Sequence, residues 1–447
     1  MSDADPTPPP PTADELAVAR DLLTYIDASP SPFHAVASSV ERLDAAGFSA
    51  VREAVDWPTG SGGFYLRTGG TLVAWVVPEG APPGAGFRLA GAHTDSPNLR
   101  VRPRPDSDSV GWRQLGVEIY GGVLVNSWLD RDLGLSGRVV LRAGDGSETV
   151  LFRDDRALLR VPQLAIHLDR EISEKGLKLD RQQHLSPIWG LGPSSEGDFR
   201  TWLAGQLDVD SENVLAWDLM THTVEPSSLS GLDESFVSAP RIDNQLSCHA
   251  LTAALIEGEY GASEAIPVVC LYDHEEVGST SATGAAGRLL ARVMERIVRA
   301  TAARAGARDG SDDAWLRSLA ASTCLSVDGA HATHPNYVGK HEPSHHIAVN
   351  GGPVVKVNTN QRYASEAETI AGFLLAAERV GVKVQQYGHR NDLPCGSTIG
   401  PITAAQLGIP TVDVGAPQLA MHSARELAGS SDPARLLGVV TSWLGAG

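Results

Sequence analysis

Residues 265–280 read AIPVVCLYDHEEVGST. The opening apolar run has the length and the β-branched content of a strand buried on both faces, as in a parallel sheet. It stops at a polar cluster that contains Glu275 and Glu276 side by side. Two close carboxylates resist ionising together unless a cation or strong hydrogen bonds compensate. Adjacent glutamates are ordinarily a solvated surface feature, so what holds this pair has to be read from the remaining sequence.

The same pattern recurs on both sides. GFRLAGAHTDSP (86–97) reads as a strand running into a loop at His93, STCLSVDGA (322–330) as a strand ending at Asp328, and GIPTVDVGAP (408–417) as a strand before MHSARE. Helical spacing separates them in NQLSCHALTAALIEGEY (244–260), GAAGRLLARVMERIVRATAARAG (284–306) and SEAETIAGFLLAAERVG (365–381), with a further strand in VKVQQYG. Strands alternating with helices predict an α/β fold, a mixed but mainly parallel sheet sandwiched by helices. Nearer the N-terminus, ADELAVARDLLTYIDAS (13–29) has helical spacing, and SAVREAV, GGFYLR and TLVAWVV read as short strands. Residues 98–232 are different: VEIYGGVLV, GRVVLRA, ETVLFRD and ALLRV are β-rich, and GDGS (144–147) marks a hairpin turn. The expected organisation is a Pro-rich tail at 1–12, disordered or extended, a main domain from 13–97 and 233–447, and an inserted β-rich domain at 98–232.

Bulk properties narrow the function. The 447 residues are 42% hydrophobic and 20% charged, ordinary for a globular enzyme, and the formal net charge is -18. Such a surface repels nucleic acid and anionic membrane, so neither is expected as a partner. The four cysteines are scattered with no C-x-x-C pair, which argues against a disulfide framework or a zinc cage and fits a reducing cytoplasm. No stretch reaches the apolar length of a membrane helix, and the N-terminus lacks the pattern of a secretory signal.

Sites in parallel sheets gather outside the carboxyl ends of strands. The metal-capable residues expected there are His93, Asp243 in APRIDNQ, Glu275, Glu276, Asp328 and His422. Each alone reads as a loop residue, turn or helix cap; their coincidence points to a metal centre. Two histidines with carboxylates form a mixed N/O set that suits Zn²⁺, and also Mn²⁺ or Co²⁺. A carboxylate such as Asp243 can bridge two cations. One glutamate of the pair then binds metal while its neighbour takes a proton from the hydrolytic water. Asp95, two residues past His93, is placed to orient that ligand. HEPSHH (341–346) looks metal-like, but nothing frames it at a strand end, and GGPVV and GDGS do not fit a phosphate-binding glycine fingerprint.

The segments GAHTDSPNLR, AIHLDR, APRIDNQ, HEEVGS, SVDGAHATHPNY, GGPVVKVNTNQRYAS, RNDLPCGSTIGP and APQLAMHSARE occur in an order that resembles the aspartyl aminopeptidase family of cytosolic di-metal exopeptidases. The resemblance covers nearly the whole chain from about residue 13. It implies one metal held by His93, Asp243 and Asp328, and a second held by Asp243, Glu276 and His422. It further implies Glu275 as general base, Asp95 as support for His93, and Lys356 as reader of an acidic substrate side chain. His167 would enter a neighbouring subunit's active site and steady the tetrahedral intermediate. The 98–232 domain would serve dimerisation, and the assembly would be a tetrahedral dodecamer built from dimers. The implied activity is removal of unblocked N-terminal Asp or Glu from peptides. Alternatives on the same scaffold are a broader aminopeptidase, a carboxypeptidase or an N-acyl deacylase, and outside catalysis a silent peptide-binding shell.

Overall fold

A computed structural model describes residues 8–261, 263–304 and 311–445. Of the Pro-rich tail, residues 1–7 lie outside the described residues, and residues 8–12 lead without helix or strand into a capping box. There the Thr12 side chain accepts from the Glu15 amide and Glu15 reaches back to the Thr12 amide, opening α1 (Ala13–Ala28). Pro32 at the first turn and Ser31 as cap start α2 (Pro32–Ala45). Strands β1 (Ser49–Ala50), β2 (Gly62–Thr68), β3 (Thr71–Val77) and β4 (Phe87–His93) follow.

The chain then leaves for β5 (Asn98–Ser109), β6 (Trp112–Tyr120), β7 (Leu133–Ala143), β8 (Gly146–Leu159), α3 (Ile172–Lys175), β9 (Ile188–Leu191), α4 (Asp198–Leu207) and β10 (Val214–Thr223). These six strands form an antiparallel sheet in the order β8-β7-β10-β5-β6-β9. It has its own core around Leu99, Leu115, Leu135, Phe199 and Leu219.

The return passes through β11 (Ser228–Ser230), β12 (Phe236–Ala239), α5 (Ile242–Glu257), β13 (Ile266–Tyr272), α6 (Leu289–Arg304), α7 (Ser311–Ala320), β14 (Thr323–Val327), β15 (Ala330–His331) and β16 (Val354–Val357). It ends with α8 (Ala367–Arg379), β17 (Gln385–Gly388), α9 (Ile399–Leu407), β18 (Thr411–Gly415), β19 (Pro417–Leu419), β20 (Glu426–Gly429) and α10 (Asp432–Leu444).

The main sheet has nine strands, ordered β1-β2-β3-β13-β4-β14-β18-β16-β17. Its centre, β13-β4-β14-β18, is parallel throughout, and antiparallel pairs lie on either side of it. Alternate residues of β13 enter different cores, as the two-residue period of a strand requires. Val269 and Leu271 pack with α1, α2, α5, α8 and α10, whereas Ile266, Val268, Cys270 and Tyr272 pack with α6, α7 and α9. The sheet is therefore mixed, mainly parallel and sandwiched by helices. A smaller sheet, β11-β12-β20-β19-β15, closes one end.

Several local readings change. SAVREAV forms only the two-residue β1, after which Trp57 Nε1 bonds the Arg52 carbonyl and the chain turns. VEIYGGVLV ends as a strand at Tyr120, because Gly121 takes φ +74° and begins a turn. ETVLFRD and ALLRV are one strand, β8. The charged run between them is neutralised along the sheet surface by Arg153–Asp155 and Arg156–Asp154 pairs. The helix expected from Gly284 starts at Leu289, and the reading over 305–306 lies outside the described residues.

Candidate active site

The carboxyl ends of β4, β13 and β14 lie side by side, with Tyr272 in register with His93. His93 ends β4, Asp328 follows β14, and the Glu275–Glu276 turn follows β13. Asp243 enters from the first turn of α5, where its backbone departs from helical angles and the Asp243–Asn244 peptide is cis. His422 comes from the turn between β19 and β20, with φ +67°. The close-packed ligand sets among the described residues are His93–Asp243–Asp328, Asp243–Glu276–His422 and His93–Glu275–Glu276. The 341–346 tract enters none of them; His345 instead pairs with Glu342, and His341 Nε2 accepts the His334 amide.

Asp243 stands between the two halves. Its Oδ1 is 3.4 Å from His93 Nε2 and its Oδ2 is 3.2 Å from His422 Nε2. His93 Nε2 also lies 3.7 Å from Asp328 Oδ1, and His422 Nε2 3.4 Å from Glu276 Oε1. Asp243 Oδ1 and Glu276 Oε1 are buried and accept no hydrogen bond. Buried polar atoms are almost always satisfied, so two orphaned carboxylate oxygens aimed at imidazole nitrogens are what a cation-binding set leaves when it is described without its cations. The residues present fit divalent metal.

Electrostatics agree. Burial pushes the Glu275 carboxyl up to about 8, with the charges of Asp328, Asp95 and Asp243 adding to it against His93. Burial likewise raises Glu276 well above its ordinary range. Burial works against charge on the histidines too, but their carboxylate neighbours outweigh it: His93 is raised and His422 goes up to about 10. So many carboxylates in one dry place need positive charge, and among the described residues His93 and His422 supply part of it.

Two buried carboxylates hold the backbones of these candidate ligands. Asp95 accepts the Glu275 amide at Oδ1 and the Glu276 amide at Oδ2, both at 3.1 Å, and the Tyr120 hydroxyl at 2.7 Å. His93 Nδ1 bonds the Asp95 backbone carbonyl at 2.9 Å, nearer than the Asp95 carboxylate at 3.5 Å. The carboxylate's main hydrogen bonds therefore go to the glutamate turn. Glu426 plays the matching part on the other side. It accepts the Asp243 amide at 2.9 Å and the His422 amide at 2.6 Å. Neither Glu426 nor Tyr120 was singled out from the sequence. Their signal, an acid four residues past His422 and a tyrosine before a Gly-Gly turn, has no meaning until the segments meet.

Lys356, on β16, is 1% exposed and donates to the carbonyls of Asp328 and Gly329, both at 3.1 Å. Its Nζ lies 5.0 Å from the Tyr363 ring centroid. His167 is not brought to this centre: it sits exposed in a turn, without a hydrogen bond or ion pair among the described residues.

Residues 25–441 match the family described as aminopeptidase I zinc metalloprotease (M18). The chain belongs to the M18 aminopeptidase family. A probable M18 family aminopeptidase 2 from Streptomyces coelicolor is 53% identical, over 95% of this chain and 96% of its own. The one from Mycobacterium tuberculosis is 49% identical over 96% and 98%. Among solved structures, a chain in the cryo-EM structure of the Ape4 and Nbr1 complex superposes with TM-score 0.91 at 34% identity, covering 97% of this chain and 86% of that one. The structure of an S. cerevisiae mApe1 dodecamer gives 0.82 at 26%, covering 97% of each. M18 membership makes this chain a metal-dependent aminopeptidase, a hydrolase, and sets aside the carboxypeptidase, deacylase and silent-shell alternatives. Among the described residues no helix is long and apolar enough to cross a membrane.

Proposed function

We propose that this M18 aminopeptidase removes unblocked N-terminal Asp and Glu from peptides, with two divalent cations, Zn²⁺ foremost, bridged by Asp243. The observation that carries the acidic preference is Lys356. An ammonium has three donors, and here two go to neutral carbonyls at Asp328 and Gly329, with no carboxylate in hydrogen-bond contact among the described residues. Its charge is felt by the buried Asp413 without direct contact, and a substrate carboxylate entering beside Asp328 would give it an ion-pair partner.

In this reading His93, Asp243 and Asp328 would hold one cation, and Asp243, Glu276 and His422 the other. When bound, the cations polarise the scissile carbonyl and make the attacking water more acidic. Glu275 accepts the proton of that water and returns it to the leaving amine, and Asp95 fixes the turn from which Glu275 projects. His167 acts from a second copy. It lies between Leu164, Ile166 and Leu168, the last 75% exposed, and apolar side chains set out in this way suit burial against another subunit. The 98–232 region would then form the dimer contact, and the dodecamer seen for a structural neighbour is the assembly proposed for this chain. With four free cysteines, a reducing cytoplasm is the proposed setting.

The test is a four-arm hydrolysis assay with an Asp-peptide, its N-acetylated twin, a Glu-peptide and a Leu-peptide. Cleavage of the free acidic peptides, with the acetylated and Leu-peptides spared, is expected; equal cleavage of Leu- and Asp-peptides would leave an aminopeptidase of broad specificity. Lys356→Ala should remove the acidic preference, and retention of it would take Lys356 out of substrate reading.

A further inference from the structure

The turn that leaves the six-stranded sheet reaches both halves of the metal centre. At its start the Tyr120 hydroxyl donates to Asp95 Oδ2, the carboxylate that holds the amides of Glu275 and Glu276. Two residues on, the Gly122 carbonyl lies 3.2 Å from His422 Nδ1. A carbonyl oxygen can only accept, so this contact puts a proton on Nδ1 and turns Nε2 toward Asp243 and Glu276. Next, the Leu124 amide donates to the His422 carbonyl at 3.1 Å, and Ser127 Oγ accepts the Ala424 amide at 2.9 Å.

The two glycines are what let backbone approach so closely. Gly121 has φ +74°, and a Cβ there would meet Glu276 Cβ at 3.0 Å. A Cβ on Gly122 would meet His422 Nδ1 at 2.9 Å. Gly116, on β6 just before this turn, is a contrast: the nearest atom to an added Cβ would be 3.5 Å away, an ordinary contact.

We infer that Tyr120–Leu124 is a positioning element of the catalytic centre, through which the β-rich region sets the Glu275–Glu276 turn by the Tyr120 hydroxyl and the His422 ring by the Gly122 carbonyl. The inference rests on the two-cation reading above. It makes the region that would form the dimer contact part of the site's own geometry. Tyr120 and Gly122 are in none of the candidate ligand sets and act through Asp95 and His422.

The experiment compares wild type, Tyr120→Phe, Gly122→Ala and Gly116→Ala for Zn²⁺ stoichiometry and affinity, by competition with a chromophoric chelator, and for kcat and KM. Partners of this kind are worth about 10–100-fold in metal affinity or activity. Gly122→Ala is expected to retain one Zn²⁺ normally and bind the other about 10–100-fold more weakly. Tyr120→Phe is expected to lower kcat by about 10-fold with KM little changed, and to weaken only the Zn²⁺ held by Glu276. Gly116→Ala should match wild type. Normal binding of both ions by Gly122→Ala, or normal kcat in Tyr120→Phe, would overturn the inference. Fewer than two Zn²⁺ in wild type would instead overturn the two-cation reading. If Gly122→Ala does not fold, Tyr120→Phe, which keeps the ring, decides.

Discussion

Replacing Glu426 by Gln tests whether a buried carboxylate that touches no cation nonetheless controls cation affinity. The side chain is 2% exposed and its two oxygens take the amides of Asp243 and His422 at 2.9 and 2.6 Å. Gln has the same shape but only one acceptor, so one ligand amide would face an NH₂ group. Losing a hydrogen bond to a charged acceptor costs about 1.5–3 kcal/mol, and leaving the amide unpaired adds about 1–3 kcal/mol. Even a total of about 3 kcal/mol corresponds to ~10²-fold in cation affinity. The metal-free protein should behave differently. There burial and the Asp243 charge push the Glu426 carboxyl up to about 8, so at neutral pH it is largely protonated and Gln is its close analogue. Chelator competition should therefore show ~10²-fold weaker Zn²⁺ binding, while the Tm of the metal-free protein at neutral pH hardly moves. Unchanged Zn²⁺ affinity would refute the reasoning. So would a fall in metal-free stability as large as the loss in binding, because Glu426 would then act on the fold alone.

Two further outcomes follow from the same geometry. Glu275→Gln should lower kcat by ~10²–10⁴-fold with normal metal content by elemental analysis; near-normal turnover would remove Glu275 as the proton acceptor. Metal binding should also release protons. Glu275 and Glu426 are raised to about 8 and His422 to about 10, so near neutral pH the metal-free site holds protons that cations displace. Apparent Zn²⁺ affinity should therefore rise from about pH 6 to about pH 8, and calorimetry in buffers of different ionisation enthalpy should detect the release; a flat profile would contradict it.

What the sequence made legible has a common cause. The candidate ligands end apolar runs, and in a parallel sheet strand ends converge, so His93, Asp328 and the Glu275–Glu276 pair could be brought together from periodicity alone. ETVLFRD and ALLRV, named apart in the sequence, are joined in β8 by an Arg-Asp run whose ion pairs form on the folded sheet. The residues that hold the ligands were the least legible. Tyr120 reaches Asp95 across 25 positions, and Glu426 reaches Asp243 across 183. Such bonds to distant groups leave no spacing to find. Asp95 was expected beside His93, but its link to the amides of Glu275 and Glu276 needed the strand order. His167 shows a different limit, because a residue that would act on another subunit has no partner within one chain.

The most direct test of the central claim is the anomalous difference map of Zn²⁺-loaded crystals collected at the zinc edge. The account predicts two peaks ~3.5–4 Å apart, with Asp243 contacting both. One peak should be flanked by His93 and Asp328, the other by Glu276 and His422. A single peak, or two peaks without Asp243 between them, would contradict it.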